Sequence, residues 1–343
     1  MTPGLDRRLS AVDAAFVAID AGGSSTRAVV VDSTGRCLGL GTAGSGNPVS
    51  SGQESVVLAL GAAVRQAIAS AGVPPASIDG ASVAMAGARS VRSADGPEHP
   101  SIAAALSAAG VDAPFVVESD LLAMFCAGSS DLDGHALVAG TGAAAIRVRH
   151  GEVEATADGT GWLLGDEGSG FWIGHHVARA VVADLDDRGP TTGMTPLVLA
   201  HLGIDDRGSR RSSLGLLTEV VYDMRPVGLA RLAPVAFTVG DDAVAGAIVE
   251  GASHGLAHTL GSVLDSDIDG PLVLGGSILL HQATVAAAVE TSFRDRGGTG
   301  PVVRVADGVA GAAALILRSR GVAVDPAVFA RIETTLQALR TGS

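Results

Sequence analysis

The sequence of 343 residues is long enough for two domains with hydrophobic cores, and its 47% apolar and 17% charged residues are typical of a globular protein. It carries a net charge of −13, contains no lysine and has no arginine cluster, which disfavours nucleic-acid binding and excludes a Walker A loop, a protein-kinase fold and Schiff-base catalysis. The two distant cysteines, Cys37 and Cys126, suit neither a disulfide framework nor a metal centre, and no apolar run could span a membrane, so a cytoplasmic protein is expected.

The first part of the chain predicts an antiparallel β-meander followed by alternating helices and strands. Apolar runs separated by glycine turns predict the three meander strands at 15–20, 26–32 and 37–41. Beyond them, helices are expected at about 52–71 and 99–109, and buried strands at 78–85 and 114–118. Ser119 and Asp120 then open a helix that ends near Gly128.

The meander pattern returns at His135. Strands are predicted at 135–139, 143–150 and 152–156, with a glycine turn between the first two. The remainder predicts helices at about 169–186, 196–202, 212–222, 226–237, 241–264, 281–294, 309–320 and 326–340, with short strands at 272–274 and 302–305. Two copies of one unit imply two similar lobes. We expect a first lobe at 1–122, joined by a C-terminal helix at 325–343, and a second lobe at 123–324.

A carboxylate precedes the first glycine turn. Asp20 ends a predicted strand, and the following turn can aim backbone N–H groups and three hydroxyls at one point. Such a turn can hold phosphate groups without lysine, while Asp20 would hold Mg²⁺ through water. The candidate phosphate-binding residues are Gly22, Gly23, Ser24, Ser25 and Thr26. A plain hairpin turn explains the same pattern about as well.

The second glycine turn, Gly140-Thr141-Gly142, formally begins a dinucleotide-binding pattern. That pattern requires a helix to start on the glycines, whereas the residues that follow alternate like a strand. A second phosphate-binding hairpin therefore fits better. Gly275 and Gly276, after a short apolar strand, would let a nucleotide base or ribose lie against the backbone, although they could equally form a tight turn.

The loop at 158–170 combines glycines with three acids and a tryptophan, then leads directly into a helix. Carboxylates accept hydroxyl protons, glycines permit close backbone approach and an indole covers a C–H face, so the loop suits a polyhydroxylated ligand. An ordinary glycine-rich turn that caps the helix is the alternative. The candidate residues for contact with such a ligand are Asp158, Gly161, Trp162, Asp166, Glu167 and Gly170.

Asp120 lies at the end of a predicted strand and the start of a helix. Helix capping alone would explain an aspartate there. The functional interpretation is a general base directed into a cleft between the lobes.

The order of these features resembles the ribonuclease-H-like superfamily of actin, hexokinase and Hsp70. The run 161–170 resembles the N-acetylglucosamine kinase branch of the BadF/BadG/BcrA/BcrD ATPase family. The resemblance implies two ribonuclease-H-like α/β lobes with an interlobe cleft that binds ATP and Mg²⁺. It also implies that Asp120 is the catalytic base and that Asn47 and Gly87 contact the sugar. Asp20 and Asp120 would lie at the metal.

Two departures from the family pattern bear on the substrate. Ala143-Ala144 stands where a serine–asparagine pair usually helps to hold the sugar, and the segment Glu118-Ser119-Asp120 adds a carboxylate before the base. A carboxylate near the sugar C2 would favour an ammonium over an acetamide, so Glu118 and Ser119 are assigned to the substrate. In this respect the chain is similar to actinobacterial glucosamine kinases.

The resulting hypothesis is ATP-dependent phosphorylation of the glucosamine 6-hydroxyl. The alternatives are an N-acetylglucosamine or glucose kinase and a non-catalytic, sugar-responsive protein of the same fold. A small sugar, glucosamine or a close analogue, is the expected partner, with neither nucleic acid nor membrane, and the chain is expected to be a monomer or homodimer.

Overall fold

The computed structural model describes residues 14–23, 25–44, 46, 53–86, 99–205 and 208–342. They fall into two compact units. The first unit combines Met1–Ser130 with Gly308–Ser343, and the second unit is Asp131–Asp307. Within the described ranges, no helix is long and apolar enough to cross a membrane.

The first unit is built on a five-stranded mixed sheet in the order β3-β2-β1-β4-β5. Its strands are β1 (Ala15–Ala21), β2 (Thr26–Asp32), β3 (Cys37–Ala43), β4 (Ile78–Met85) and β5 (Phe115–Ser119). The first three form the predicted antiparallel meander, and β4 and β5 run parallel to β1. The helices of the first part of the chain are α1 (Gln53–Ala71), α2 (Pro100–Ala108) and α3 (Asp120–Gly128), with a 3₁₀ turn at Pro75–Ser77.

Alternate residues of β1 face opposite sides of the sheet. Val17 and Ile19 are fully buried in a core with α1 residues such as Leu60. The opposite face is covered by α10 (Val309–Ser319), which packs against β1 and α3. The Ser82 hydroxyl of β4 donates to the Ala312 carbonyl of α10 over 2.9 Å, which ties this late helix to the central strands.

The second unit repeats this architecture. Its strands are β6 (Gly134–Ala139), β7 (Ala143–Arg149), β8 (Glu152–Asp158), β9 (Leu272–Gly275) and β10 (Val302–Val305). The strand order is β10-β9-β6-β7-β8, so the first strand of the meander again lies at the centre. It pairs antiparallel with β7 and parallel with β9. The internal repeat predicted from the glycine turns is therefore present in the structure.

Helices are added to the second unit between its third and fourth strands and again between its fourth and fifth strands. They are α4 (Gly170–Leu185), α5 (Met194–His201), α6 (Arg210–Asp223), a 3₁₀ helix (Pro226–Phe237), α7 (Ala243–Gly261), α8 (Ser277–His281) and α9 (Ala283–Asp295). The segment 226–237 was expected to be an α-helix. Pro234 inside it has no N–H group to donate, which accounts for the tighter, irregular helix. The five-residue α8 was not predicted.

The unit boundaries differ from the predicted ones at 122/123 and 324/325. The structure divides the chain at 130/131 and 307/308 because α3 and α10 pack on each other in the first unit. Arg318 of α10 donates to the Ser130 carbonyl over 2.9 Å. The last helix, α11 (Pro326–Thr341), joins the first unit as expected, and its Thr335 hydroxyl accepts a hydrogen bond from the Cys37 N–H over 2.9 Å.

Candidate functional site

The first glycine turn joins β1 to β2 in the first unit. The Gly22 N–H donates to the Ser25 carbonyl over 3.0 Å, which closes the turn. Asp20, two residues before Gly22, is only 7% exposed, and its Oδ2 accepts the Gly308 N–H over 2.9 Å. The Asp20 carboxylate thus holds the start of α10, a contact between residues far apart in the sequence. Ser24 lies outside the described residues.

Thr26 has a structural role that the sequence did not reveal. Its side chain is fully buried, and its hydroxyl donates to the Gly44 carbonyl over 2.9 Å. A threonine engaged in this way cannot present its hydroxyl to a phosphate without breaking that bond. In the described part of the turn, Gly23 is exposed and Ser25 is partly accessible, so these two residues remain better placed to meet a ligand.

Asp120 is the first residue of α3. The helix cap is Ser119, whose hydroxyl accepts the Leu121 N–H over 3.2 Å, and Asp120 Oδ1 accepts the same N–H over 3.0 Å. Burial raises the pKa of the Asp120 carboxyl above its usual value, although backbone hydrogen bonds from Leu121 and from Asp120 itself oppose the rise. A carboxylate with raised proton affinity suits a general base.

Glu118 lies in one cross-strand row with Asp20. Asp20 of β1 pairs with Ala84 of β4, and Ala84 pairs with Glu118 of β5. Because neighbouring strands are about 4.8 Å apart, the two acidic residues are about 10 Å apart along the row. Glu118 is also close enough to the buried thiol of Cys126 to raise its pKa, after the larger effect of burial. The first unit therefore gathers Asp20, Glu118 and Asp120 at the carboxyl ends of parallel strands.

The carboxylates of Asp20, Glu118 and Asp120 could supply only part of the coordination shell of a divalent cation. The described residues contain no group of three or more histidine, cysteine or acidic side chains arranged around a metal position. Mg²⁺ is usually bound by one or two carboxylates together with substrate phosphates and water. Asp20, whose Oδ2 accepts the Gly308 N–H, and Asp120 are carboxylates of this kind, so the residues present fit Mg²⁺ that arrives with a nucleotide. Asn47 and Gly87, predicted to contact the sugar, lie outside the described residues.

The second glycine turn joins β6 to β7 in the second unit. The Gly140 N–H donates to the Gly142 carbonyl over 2.9 Å. The Gly140 and Thr141 carbonyls accept the N–H groups of Gly170 and Phe171 over 2.7 and 3.0 Å. The turn is thereby fixed to the first residues of α4, whose N-terminus is capped by the fully buried Ser169.

The predicted adenosine-binding residues, Gly275 and Gly276, lie next to the second glycine turn. Val138 of β6 pairs with Gly275 of β9, so both segments end at the same edge of the sheet. Gly276 has a φ of +85°, and a Cβ there would lie 2.7 Å from the Gly140 nitrogen. Only glycine fits both the backbone conformation and this approach. The result is a surface of bare backbone at the carboxyl ends of parallel strands, where nucleotides commonly bind.

Two acids of the 158–170 loop brace the loop. Asp158 accepts the N–H groups of Asp166 and Glu167 over 2.7 and 2.9 Å, one at each carboxylate oxygen. Asp166 is buried, accepts the Ala143 N–H over 3.2 Å and closes against Gly142, where a Cβ would lie 3.0 Å from its carboxylate. Burial, and then the nearby charge of Asp158, raise the pKa of Asp166. These acids link the loop to the second glycine turn, a role that residue type alone does not separate from sugar binding.

Other loop residues remain accessible. Trp162 is 39% exposed and its ring lies 5.5 Å from that of Phe171, while Glu167 is exposed. Gly161 has a φ of +85° and no heavy atom near its missing Cβ, whereas Gly170 is buried against the Gly140 carbonyl. Of the predicted sugar-binding residues in this loop, Asp166 and Gly170 are buried, whereas Asp158, Gly161, Trp162 and Glu167 are at least partly accessible.

The unusual alanine pair is also buried. Ala143 and Ala144 are 4% and 7% exposed, and a Cβ on Gly159 would lie 3.0 Å from the Cβ of Ala144. The start of the 158–170 loop therefore closes over Ala144. This close packing explains why small side chains occupy both positions.

Comparison with known proteins places these features in a family context. A family model described as the BadF/BadG/BcrA/BcrD ATPase family matches residues 17–315. The N-acetyl-D-glucosamine kinase of Dictyostelium discoideum is 25% identical over 321 residues, which cover 89% of this chain and 98% of that protein.

Two solved structures share the fold. A Chromobacterium violaceum protein assigned provisionally as an N-acetylglucosamine kinase has a TM-score of 0.66 at 22% identity, covering 89% of this chain and 99% of its own. A ROK-family glucokinase from Streptomyces griseus, solved with glucose and AMPPNP, has a TM-score of 0.50 at 19% identity, covering 88% and 98%. The predicted α/β fold with two similar sheet units is thereby confirmed.

Proposed function

Because the chain belongs to the BadF/BadG/BcrA/BcrD ATPase family, as the run 161–170 predicted, we propose that it is an ATP-dependent sugar kinase acting on the 6-hydroxyl group of glucosamine. The Dictyostelium relative and the Streptomyces structure described above are sugar kinases by name, which supports the predicted class of enzyme. The observation that carries the proposal is the position of Asp120, which begins α3 at the carboxyl edge of the first sheet with a pKa raised by burial.

In this mechanism Asp120 accepts a hydrogen bond from the attacking hydroxyl and orients it for in-line transfer. Phosphoryl transfer passes through a loose transition state, so the proton moves to the carboxylate late in the reaction. A raised proton affinity helps this step, because a general base works best when its pKa lies near the working pH. The other Asp120 contact, the Leu121 N–H, holds the carboxylate in position.

Each unit has a separate task toward ATP. In the first unit, the backbone around Gly22, Gly23 and Ser25 would meet phosphate oxygens, and Asp20 with Asp120 would hold Mg²⁺. In the second unit, Thr141 and Gly142 would meet phosphates, and the bare backbone at Gly275 and Gly276 would receive the adenosine. When bound, Mg²⁺ would neutralise the charge that develops on the transferred group.

The 158–170 loop would contact the sugar. Trp162 offers an accessible ring face for the sugar C–H groups, and Glu167 offers an exposed carboxylate for hydroxyls. Asp158 and Asp166 would act indirectly, by holding the loop on the second glycine turn.

N-acetylglucosamine is the alternative substrate. The curated relative carries that activity in its name, while the extra carboxylate of Glu118 favours a free amine. Glu118 lies on the same edge as Asp120, although its charge also acts on Cys126. The amine preference therefore depends on one side chain and can be tested separately from kinase activity.

A coupled assay of ADP release with glucosamine, N-acetylglucosamine and glucose tests both statements. We expect the highest kcat/KM with glucosamine, and we expect Glu118→Gln to lower that value several-fold more for glucosamine than for N-acetylglucosamine. Equal losses on both sugars would remove the argument for the amine while leaving the kinase proposal intact. If no sugar stimulates ADP release, the kinase proposal itself fails and a non-catalytic protein of this fold is favoured.

A further inference from the structure

The second unit contains a large open cavity among its added helices. It has a volume of about 1360 Å³ and lies between α4, α6 and the first turns of α7. This volume exceeds the 300–1,000 Å³ typical of ligand pockets. No residue assigned above to the nucleotide, the metal or the sugar lines it. The proposed kinase chemistry therefore leaves this cavity without a role.

One side of the cavity is apolar. Leu217 and Val221 lie one turn apart on α6, and Val244 and Ile248 lie one turn apart on α7. Leu217 and Ile248 also belong to the hydrophobic core of the second unit, so the position of this surface is fixed by packing. An apolar group placed here would be removed from water at about 25 cal/mol per Å².

Another part of the lining is an aromatic wall on α4. The rings of Trp172 and His176 stack with centroids 3.8 Å apart. The His176 Nδ1–H donates to the Trp172 carbonyl over 2.8 Å, since a carbonyl can only accept, and this bond fixes the ring. Tyr222 of α6, also part of the lining, is 86% exposed. A flat ligand could therefore meet aromatic surface that is already ordered.

The charged residues that line the cavity differ in how many hydrogen bonds and ion pairs they form within the protein. Asp242 accepts hydrogen bonds from four donors: the Thr192 hydroxyl and the N–H groups of Gly193, Val244 and Ala245, at 2.7–2.9 Å. The Arg188 guanidinium is paired with Asp186 over 2.6 Å. By contrast, Arg179, one turn after His176, has neither a hydrogen bond nor an ion pair within the described ranges of the chain. Asp241 and Arg179 are both exposed, so water partly screens the charge of each.

We propose that this cavity binds a small organic anion. The apolar or aromatic body of the anion lies between α6 and the Trp172–His176 wall, and its acidic group pairs with Arg179. A guanidinium can hold a carboxylate, sulfonate or phosphate through paired hydrogen bonds, which gives this end of the cavity its selectivity. The site is accessory, because it shares no residue with the proposed catalytic machinery.

Two dyes that differ only by a charged group test the proposal. 1-Anilinonaphthalene-8-sulfonate carries a sulfonate, and N-phenyl-1-naphthylamine has the same rings without it. We expect saturable binding of the sulfonate dye to the full chain by fluorescence titration. Because Arg179 is exposed, water screens its ion pair with the sulfonate, so Arg179→Met should weaken that dye about fivefold and leave the neutral dye unchanged.

Matched variants separate this site from general dye adsorption. Arg211→Met removes an arginine of α6 that does not line the cavity, and it should leave both affinities unchanged. Thr218→Glu places a negative charge in the lining and should weaken only the sulfonate dye. Leu164→Ser tests the 81% exposed leucine of the 158–170 loop as a rival dye site and should have no effect.

Several results would overturn the proposal. They are absence of saturable binding to the wild-type chain, an unchanged affinity in Arg179→Met, equal loss for both dyes, or loss in Arg211→Met or Leu164→Ser. Circular dichroism and thermal melting of each variant show whether it is folded. If Arg179→Met does not fold, Thr218→Glu still tests the proposal.

Discussion

The two glycine turns sit at equivalent places in the two sheets but are secured by different chemistry. Ala21 and Ala139 are the last paired residues of the central strands, so Asp20 in the first unit corresponds to Val138 in the second. Each turn region accepts N–H groups from the start of a helix. The first uses the Asp20 carboxylate on Gly308, and the second uses the Gly140 and Thr141 carbonyls on α4.

This difference shows how a duplicated backbone can acquire two tasks. A carboxylate at the strand end can serve a helix and a metal ion together, because it has two oxygens and a charge. Backbone carbonyls are neutral and leave the second turn with glycine surface on which a nucleotide can lie. In the proposed mechanism, the first unit thus supplies the carboxylates, and the second supplies bare backbone for the nucleotide. The following four predictions test that division.

The largest effect is expected at Asp120, the proposed general base. Asp120→Asn removes the proton acceptor but keeps an oxygen that can accept the Leu121 N–H, so turnover should fall roughly 10²–10⁴-fold while the sugar still binds. Steady-state kinetics and equilibrium sugar binding measure the two quantities. Asp112→Asn, an exposed change in the same unit, is the matched control. Turnover close to wild type in Asp120→Asn would contradict the assignment of the base.

The next effect is steric and belongs to the second unit. Gly276→Ala combines a φ of +85° with a Cβ only 2.7 Å from the Gly140 nitrogen, so the strand ends must separate. Gly297→Ala has a φ of +90° but no neighbour within 4 Å, so it carries backbone strain alone, about 1–2 kcal/mol. Denaturant unfolding should show a clearly larger loss of stability for Gly276→Ala. Equal losses would mean that the close approach to Gly140 does not matter.

A third prediction uses another pair of equivalent positions, Val17 and His135. His135 is 1% exposed, and neither of its ring nitrogens has a hydrogen-bond partner among the residues that the structure describes. Burial, followed by the charge of Arg147, lowers its pKa from 6.5 to about 4. The unfolded chain therefore takes up a proton on this residue before the folded protein does. Stability is fully present above pH 6.5 and is lost as pH falls toward 4, by up to about 3 kcal/mol.

Replacing His135 with valine, the residue at the equivalent position of the first unit, should remove this pH dependence of stability. His135→Val should flatten the stability–pH curve between pH 6.5 and 4, measured by denaturant unfolding at several pH values. His254→Val, at an exposed histidine of α7, should leave the slope unchanged. A slope that persists in His135→Val would assign the acid sensitivity to other groups.

The smallest effect is expected at Asp20. Asp20→Asn keeps an oxygen for the Gly308 N–H but loses the charge, so α10 should stay in place while the apparent affinity for Mg²⁺ falls about tenfold, a difference of 1.4 kcal/mol. ADP release measured against Mg²⁺ concentration at fixed ATP gives this value. Asp79→Asn, an exposed aspartate at the start of β4, provides the control. An unchanged Mg²⁺ dependence would mean that Asp20 does not bind the metal and only accepts the Gly308 N–H.

The sequence predicted the meanders, their glycine turns and the flanking helices because these depend on local patterns. Apolar runs and glycines place β1, β2, β6 and β7 within a residue or two of their bounds. It could not predict contacts between distant segments, such as Asp20 with Gly308 or Thr26 with Gly44. It also could not separate a brace from a ligand-binding acid, since Asp158, Asp166 and Glu167 have the same chemistry and differ in what surrounds them.

The order of segments along the chain has a consequence for synthesis. The second unit is one continuous stretch, whereas the first unit is completed only by α10 and α11 after residue 307. One face of the β1–β4–β5 sheet must stay uncovered until these helices emerge, about 180 residues after α3, which at roughly 5–20 residues per second takes roughly 9–36 s. On the ribosome, the part of the chain made first is therefore the part that finishes folding last.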